Sequence, residues 1–270
     1  MNAKLIIISL LISCFFFIPS VTSITISPTN QFQDVNEEQI VFAEYATTTW
    51  CPQCPQASQK LYELYNQDPS FYYVTLVVDK NTAAQERSRD YTNYAIPSVY
   101  FDGGYEQFIG NSESLFDIYT DLVESSRERS NRKNLDMTGS ISIENEEILY
   151  ISIDVTNNGN LPYIGRLRTY VTEEESRWND NASNPYHFSL IDFPIDETIV
   201  IKKGETITIE TEWNIIEDSP GSITNISTDN LRIFTSVFNW IPHFRSGYMQ
   251  FPYLQLYFAH YADETIVIDI

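Results

Sequence analysis

The hydrophobic period of this chain changes once, near Asn134, and that change limits what the chain can fold into. From Gln39 onward, apolar runs with strand character alternate with stretches of helical spacing. Ile40–Tyr45 reads as a strand, and Phe71–Val78 is a continuous apolar, β-branched and aromatic run, as in a strand buried on both faces. Pro55–Gln67 places Leu61, Leu64 and Tyr65 at helical spacing, and Thr82–Tyr94 is polar and helix-compatible. Ser98–Asp102 is a short strand ending at Gly103-Gly104, with Tyr105–Ile109 able to return antiparallel to it. Ser112–Arg129 predicts a helix with Ser112 as its cap and Leu115, Ile118, Tyr119, Leu122 and Val123 on one face. The cluster Arg127, Arg129, Arg132 and Lys133 at its end reads as a complement to the helix dipole and a solvated linker.

After Asn134 the pattern is strands alone. Ile141, Ile143, Leu149, Ile151, Ile153 and Val155 alternate with polar residues, and Asn157-Asn158-Gly159-Asn160 signals a turn. Further strands are expected over 166–172, 195–201, 206–213, 231–240 and 265–270. Residues 173–192 read as a long polar insertion, and the aromatic-rich segment 241–262 has no clear period. Strand–helix alternation followed by strands alone predicts two domains, an α/β domain over 39–134 and an all-β, immunoglobulin-like antiparallel sandwich over 135–270.

Charge removes several classes of partner. Lys and Arg number 16 against 37 Asp and Glu, a formal charge of −21. Such a chain cannot neutralise a run of phosphates, so no nucleic acid partner is expected, nor a polybasic membrane surface. Residues 24–134 hold 16 acidic and 8 basic side chains and residues 135–270 hold 21 and 7, so most of the acidity belongs to the second stretch. There are 3 cysteines, and Cys14 lies in the N-terminal apolar run. The two that remain, Cys51 and Cys54, exclude a disulfide-dense scaffold and a four-cysteine zinc site.

Residues 1–23 carry Lys4, an apolar run from Leu5 to Ile18, and small residues near Val21 and Ser23, the pattern of a secretory signal peptide. Left uncleaved, the same run would serve as a membrane anchor. Leu11-Ile12-Ser13-Cys14 also resembles a lipoprotein cleavage box, although Phe15-Phe16-Phe17-Ile18 follows instead of a polar segment. Each route gives an extracytoplasmic protein, secreted or tethered to the membrane, where disulfides persist. Residues 24–38 read as a polar leader.

The stretch that carries chemistry is Thr49-Trp50-Cys51-Pro52-Gln53-Cys54-Pro55. Two cysteines separated by two residues, at a strand-to-helix junction, form a small reversible disulfide. The first lies near a helix N-terminus, where orphan N–H groups and the positive dipole end stabilise its thiolate. The thiolate is the attacking species. The second, one turn inward, resolves the mixed disulfide by attacking the first. Pro52 suits a first helical turn, since it has no donor to waste.

The order strand, Trp-Cys-x-x-Cys, helix, strand, helix, Ile-Pro, strand, Gly-Gly, strand, helix over about residues 39–130 resembles the thioredoxin superfamily. The resemblance implies a thioredoxin-like fold for residues 39–134. It makes Cys51 the exposed nucleophile and Cys54 the buried resolving thiol. It also makes Pro97, in Ala95-Ile96-Pro97-Ser98-Val99, a cis-proline facing the pair, and lets the Ile96 backbone pair with an extended substrate strand. Trp50 and Pro52 flank the nucleophile on the substrate side. Many thioredoxins carry a buried acid six residues before the nucleophile. Glu44 is seven before Cys51, which implies one extra loop residue if Glu44 is to accept the Cys54 proton. Pro52-Gln53 differs from the Gly-Pro of reducing thioredoxins, so the direction of electron flow is left open.

Other readings of the pair are weaker. A structural disulfide would staple only a four-residue loop. A zinc site would have to recruit His187, His243 or His260, which are spread through the other half, and no metal is expected. Asp192, Asp196 and Glu197 lack a calcium-loop spacing. Asn181-Ala182-Ser183 and Asn225-Ile226-Ser227 have the form of glycosylation acceptors. The expectation is therefore an exported enzyme, a protein thiol–disulfide oxidoreductase. It needs no cofactor beyond the redox-active Cys51–Cys54 disulfide. Its partners are protein thiols and disulfides and an electron donor or acceptor, membrane-bound or free. The alternative is a non-catalytic surface binding or adhesion module built on the same scaffold.

Overall fold

Runs of β-branched and aromatic residues dominate this chain, and in the computed structural model they pair into three sheets. The structure describes residues 39–92, 95–215, 225–248, 254–268 and 270. The signal or anchor expected over 1–23 and the leader over 24–38 lie outside them, as does Cys14. From residue 38 onward the chain forms one compact unit.

The first stretch runs β1 (Val41–Thr47), α1 (Cys54–Gln67), β2 (Phe71–Val77), α2 (Thr82–Asp90), β3 (Ser98–Phe101), β4 (Glu106–Ile109) and α3 (Leu115–Arg127). The second supplies β5 (Leu135–Glu144), β6 (Ile148–Asn157), β7 (Tyr163–Asn179), β8 (Pro185–Ile201) and β9 (Thr206–Asn214). It ends with β10 (Leu231–Asn239), β11 (His243–Tyr248), β12 (Leu254–Ala259) and β13 (Ala262–Ile268). Asn81 caps α2 by accepting from the Ala84 N–H, at 3.2 Å. Ser112 is not the cap of α3, which begins three residues later, after Ser114.

The two stretches do not fold as the sequence predicts. Strand makes up 52% of the described residues against 18% helix. One eight-stranded mixed sheet, in the order β13-β10-β7-β8-β2-β1-β3-β4, takes strands from both. The expectation of an α/β thioredoxin-like domain followed by a separate immunoglobulin-like sandwich is therefore corrected. The junction is β2, which lies parallel to β1 on one side and pairs in parallel with β8, at Thr75 and Ser189, on the other. The Thr75 hydroxyl donates to the His187 carbonyl at 2.7 Å. Asn81 donates to the carbonyls of Leu190 and Ile191, both at 2.8 Å.

The physical reason lies in the aromatic faces of β1 and β2. The Phe42 ring meets Tyr170 of β7 at 5.1 Å and Phe234 of β10 at 6.0 Å. Tyr73 meets Phe188 of β8 at 5.3 Å. These rings form one core, and uncovering it would return large apolar surfaces to water. A second core lies between β5-β6-β9 and the far strands of the large sheet, including Leu149, Ile151, Ile153, Val171, Ile191 and Ile233. That part is a β-sandwich.

The supposed polar insertion over 173–192 is in fact the paired ends of the 17-residue strands β7 and β8. Its acids are accounted for locally. Glu173 is buried and pairs with Arg177 at 2.7 Å, and Asp180 Oδ1 accepts the N–H groups of Ala182 and Asn184 in the turn. The basic cluster after α3 is likewise no solvated linker. Arg127 pairs with Asp68 at 2.6 Å. Arg129 and Arg132 donate to the Ala262 carbonyl, and Arg132 also pairs with buried Asp102. They tie the end of α3 to β3 and β13. The segment without a period, 241–262, contains the β11–β12 hairpin.

Candidate functional site

β1 ends at Thr47, and the chain turns through Thr48–Gln53 into α1. Asp79, just beyond β2, holds this turn: its carboxylate accepts the Thr49 N–H at 3.0 Å and the Thr49 hydroxyl at 2.6 Å. Cys51 and Cys54 are joined in a disulfide, with Cα atoms 5.4 Å apart. Cys54 is the first residue of α1, and the proline of the helical first turn is Pro55. Pro52, expected to fill that role, lies ahead of the helix on the exposed turn, next to exposed Gln53.

Trp50 stands out from the surface at 66% exposure. Cys54 is fully buried and Cys51 retains 4%, so in the bonded pair the nucleophile of the resemblance is only marginally the more accessible. The Ile96–Pro97 peptide is cis. Ser98 lies opposite Ala46 in the antiparallel β1–β3 pair, which sets Pro97 level with the end of β1. The structure thus brings Trp50, Cys51, Pro52, Cys54, Ile96 and Pro97 to one end of the sheet.

Glu44 is not among them. Successive strand residues point to opposite faces. Tyr45 points toward α1, where its hydroxyl lies 3.0 Å from the Cys54 carbonyl. Glu44 therefore points away. Both of its oxygens are held by Arg87 of α2, at 2.7 and 2.6 Å, and they accept from Tyr91 at 2.5 Å and Tyr170 at 2.9 Å. Burial pushes its pKa up, but the Arg87 charge and these hydrogen bonds override that, leaving it below the ordinary carboxylate value. A carboxylate so stabilised in its charged form, on the opposite face from Cys54, is no acceptor for that thiol. The count of six residues before Cys51 lands on Tyr45, and that count was the available signal.

Tyr45 belongs to a buried polar group that the sequence does not reveal. Its hydroxyl also donates to Thr47 Oγ1 at 3.1 Å. Thr47 Oγ1 lies 2.9 Å from the hydroxyl of Tyr186 on β8. Tyr186 in turn donates to the Thr48 carbonyl at 3.0 Å, and this carbonyl also accepts the Cys51 N–H at 3.3 Å. Burial raises both tyrosines, Tyr45 well above its ordinary value and Tyr186 to about 12, so both are protonated donors at neutral pH. Asn181, in the β7–β8 turn, donates to the Trp50 carbonyl at 3.2 Å.

His187, Asp196 and Asp192 have partners of their own. His187 stacks on Tyr62 with ring centroids 3.6 Å apart, and burial depresses its pKa. Arg166 and Arg168 hold Asp196 and pull its pKa down to about 2 against the effect of burial. Asp192 accepts from the Trp213 ring N–H at 3.1 Å. No group of three or more metal-ligating side chains occurs among the described residues. No described helix is long and apolar enough to cross a membrane. On the face of Glu44 a cleft of about 270 Å³ is lined by Arg87, Tyr91, Arg168, Trp240 and Phe258, among others, and neither cysteine contributes to it.

No family model matches this chain, and no curated protein matches it. Among solved structures it is similar to HBP35 of Porphyromonas gingivalis, at 9% identity and a TM-score of 0.59, over 86% of this chain and 98% of that one. At that identity the likeness concerns fold alone. Its extent, through both stretches of the sequence, agrees with one sheet built from both. A β-glucosidase from Kluyveromyces marxianus aligns with 50% of this chain and 15% of its own, at 14% identity and a TM-score of 0.27. One from Listeria innocua aligns with 47% and 16%, at 11% identity and the same TM-score. These partial likenesses carry no argument.

Proposed function

We propose that this chain is an exported thiol–disulfide oxidoreductase that exchanges disulfides with protein substrates through Cys51 and Cys54. The observation that carries the reading is the Cys51–Cys54 disulfide placed where β1 turns into the first turn of α1. The resemblance of Trp50–Cys54 and Ile96–Pro97 to the thioredoxin superfamily supports it, as does the N-terminal export pattern.

In the reduced protein the Cys51 thiolate lies ahead of the α1 N-terminus, whose unpaired N–H groups favour negative charge. It attacks one sulfur of a substrate disulfide, forms a mixed disulfide and releases a substrate thiolate. Cys54 then loses its proton and attacks the Cys51 sulfur. The Cys51–Cys54 bond forms, the mixed disulfide breaks and a second substrate thiolate leaves. Two electrons pass to the substrate, and another dithiol protein restores them. Run backwards with a disulfide partner as acceptor, the same steps oxidise a substrate dithiol. Trp50, Pro52 and the Ile96–Pro97 backbone form the surface that the substrate chain meets.

The near-complete cover of Cys51 favours a second reading, a binding module with a permanent disulfide. Reduction of a disulfide-bonded protein such as insulin, driven by excess dithiothreitol, separates the two. Wild type is expected to accelerate reduction and Cys51→Ser to lose the acceleration. A Cys51→Ser protein as fast as wild type, or a wild type with no effect, would remove the enzymatic reading.

A further inference from the structure

The backbones of the two cysteines are joined by one chain of hydrogen bonds, and a hydroxyl from the second half of the sequence completes it. The Cys51 N–H and the Tyr186 hydroxyl share the Thr48 carbonyl as acceptor. With the Tyr186 proton so placed, the 2.9 Å contact requires the Thr47 hydroxyl to donate to Tyr186. Thr47 Oγ1 is then free to accept from Tyr45, whose single proton lies within reach of both that oxygen and the Cys54 carbonyl. No hydroxyl proton is left over. Tyr45, Thr47 and Tyr186 are each fully buried, so solvent cannot replace a lost link.

We infer that Tyr186 is a positioning residue for the Cys51–Cys54 pair: β8 supplies the hydroxyl that fixes the turn between Thr48 and Cys54. The inference rests on the thiol–disulfide reading above. Once the disulfide is reduced, this chain acts with the Asp79 and Asn181 contacts to the turn and with the bond from the Cys54 N–H to the Cys51 carbonyl, at 3.4 Å, to hold the two thiols near each other. Thiols held close act at a high effective concentration, which favours the bonded form. The quantity to read is the equilibrium of the pair with glutathione. Two glutathione thiols reduce the Cys51–Cys54 bond, form glutathione disulfide and leave two protonated cysteines, a transfer of two electrons.

The test uses the full chain with Tyr186→Phe, which removes the hydroxyl and keeps the ring that meets Tyr45 at 6.3 Å. Fractions oxidised are read by acid quench, alkylation and mass. The constant for forming the Cys51–Cys54 bond is expected to fall about 2- to 10-fold, the value of one net hydrogen bond. Thr47→Val breaks the same chain at its middle and is expected to shift the constant in the same direction. Thr235→Val is the structural control. It removes a buried hydroxyl paired with Thr169 at 2.9 Å in another part of the sheet, and is expected to lower stability with the constant unchanged. A constant unmoved by both Tyr186→Phe and Thr47→Val, or moved equally by Thr235→Val, overturns the inference and leaves the proposed chemistry standing. A wild-type pair that exchanges at no glutathione ratio overturns the chemistry, and the inference with it.

Discussion

Arg87 grips both carboxylate oxygens of Glu44, at 2.7 and 2.6 Å, behind the sheet face that carries the cysteines. The pair is stability apparatus. Glu44→Gln leaves the buried Arg87 charge without its main partner and is expected to cost about 3–5 kcal/mol, read from urea unfolding. Thiol–disulfide exchange in the folded fraction should be unchanged, whereas an acid serving Cys54 would slow the resolving step on removal. The pKa of Glu44 is lowered in the folded state. Its contribution is therefore complete above the ordinary carboxylate value and lost as pH falls through the folded value. The acid limb of the stability profile should be shallower in Glu44→Gln than in wild type.

Asp102 titrates in the opposite sense. Burial, opposed by Arg132 and Arg129, raises it to about 6. A carboxyl with a raised folded pKa favours folding in its protonated form. That contribution is complete below the unfolded value and is lost as pH rises through about 6. The side-chain carboxyl carbon of Asp102 should show a titration midpoint near 6 by NMR. A midpoint below 4 would mean that the two arginines outweigh burial.

One sheet shared by both stretches has a direct consequence for fragments. Residues 39–134 alone would expose the β2 edge that β8 occupies and the Phe42 face that Tyr170 and Phe234 cover. The fragment is expected to lack a cooperative urea transition by circular dichroism. A sharp two-state transition would show that the first stretch is self-sufficient.

Much of the site could be read from local sequence, because a two-residue cysteine spacing at a strand–helix junction is a local signal. The order β1 to α3 was legible for the same reason, since each element carries its own period. What could not be read was long-range. Tyr186 and Thr47 are 139 residues apart and meet only because β8 adds to the edge of β2. The choice between Glu44 and Tyr45 turned on which face each strand residue takes, and a shift of one residue reverses it. Glu173 and Asp180 made strand ends read as a polar insertion, because the Arg177 ion pair and the backbone N–H groups that hold them are invisible until the hairpin forms. Arg129 looked like a helix-end solvation group and proved to be buried between Asp102 and Asp263.

In the proposed exchange Cys51 attacks and Cys54 resolves, and this division of roles can be observed. It is tested most directly by mixing reduced Cys54→Ala protein with a disulfide-linked peptide dimer and mapping the product by mass. One peptide bound to Cys51 through a stable mixed disulfide is expected, released by wild type before it accumulates. A Cys54→Ala protein that forms no adduct at Cys51, while its thiol is reduced and the protein folded, would contradict it.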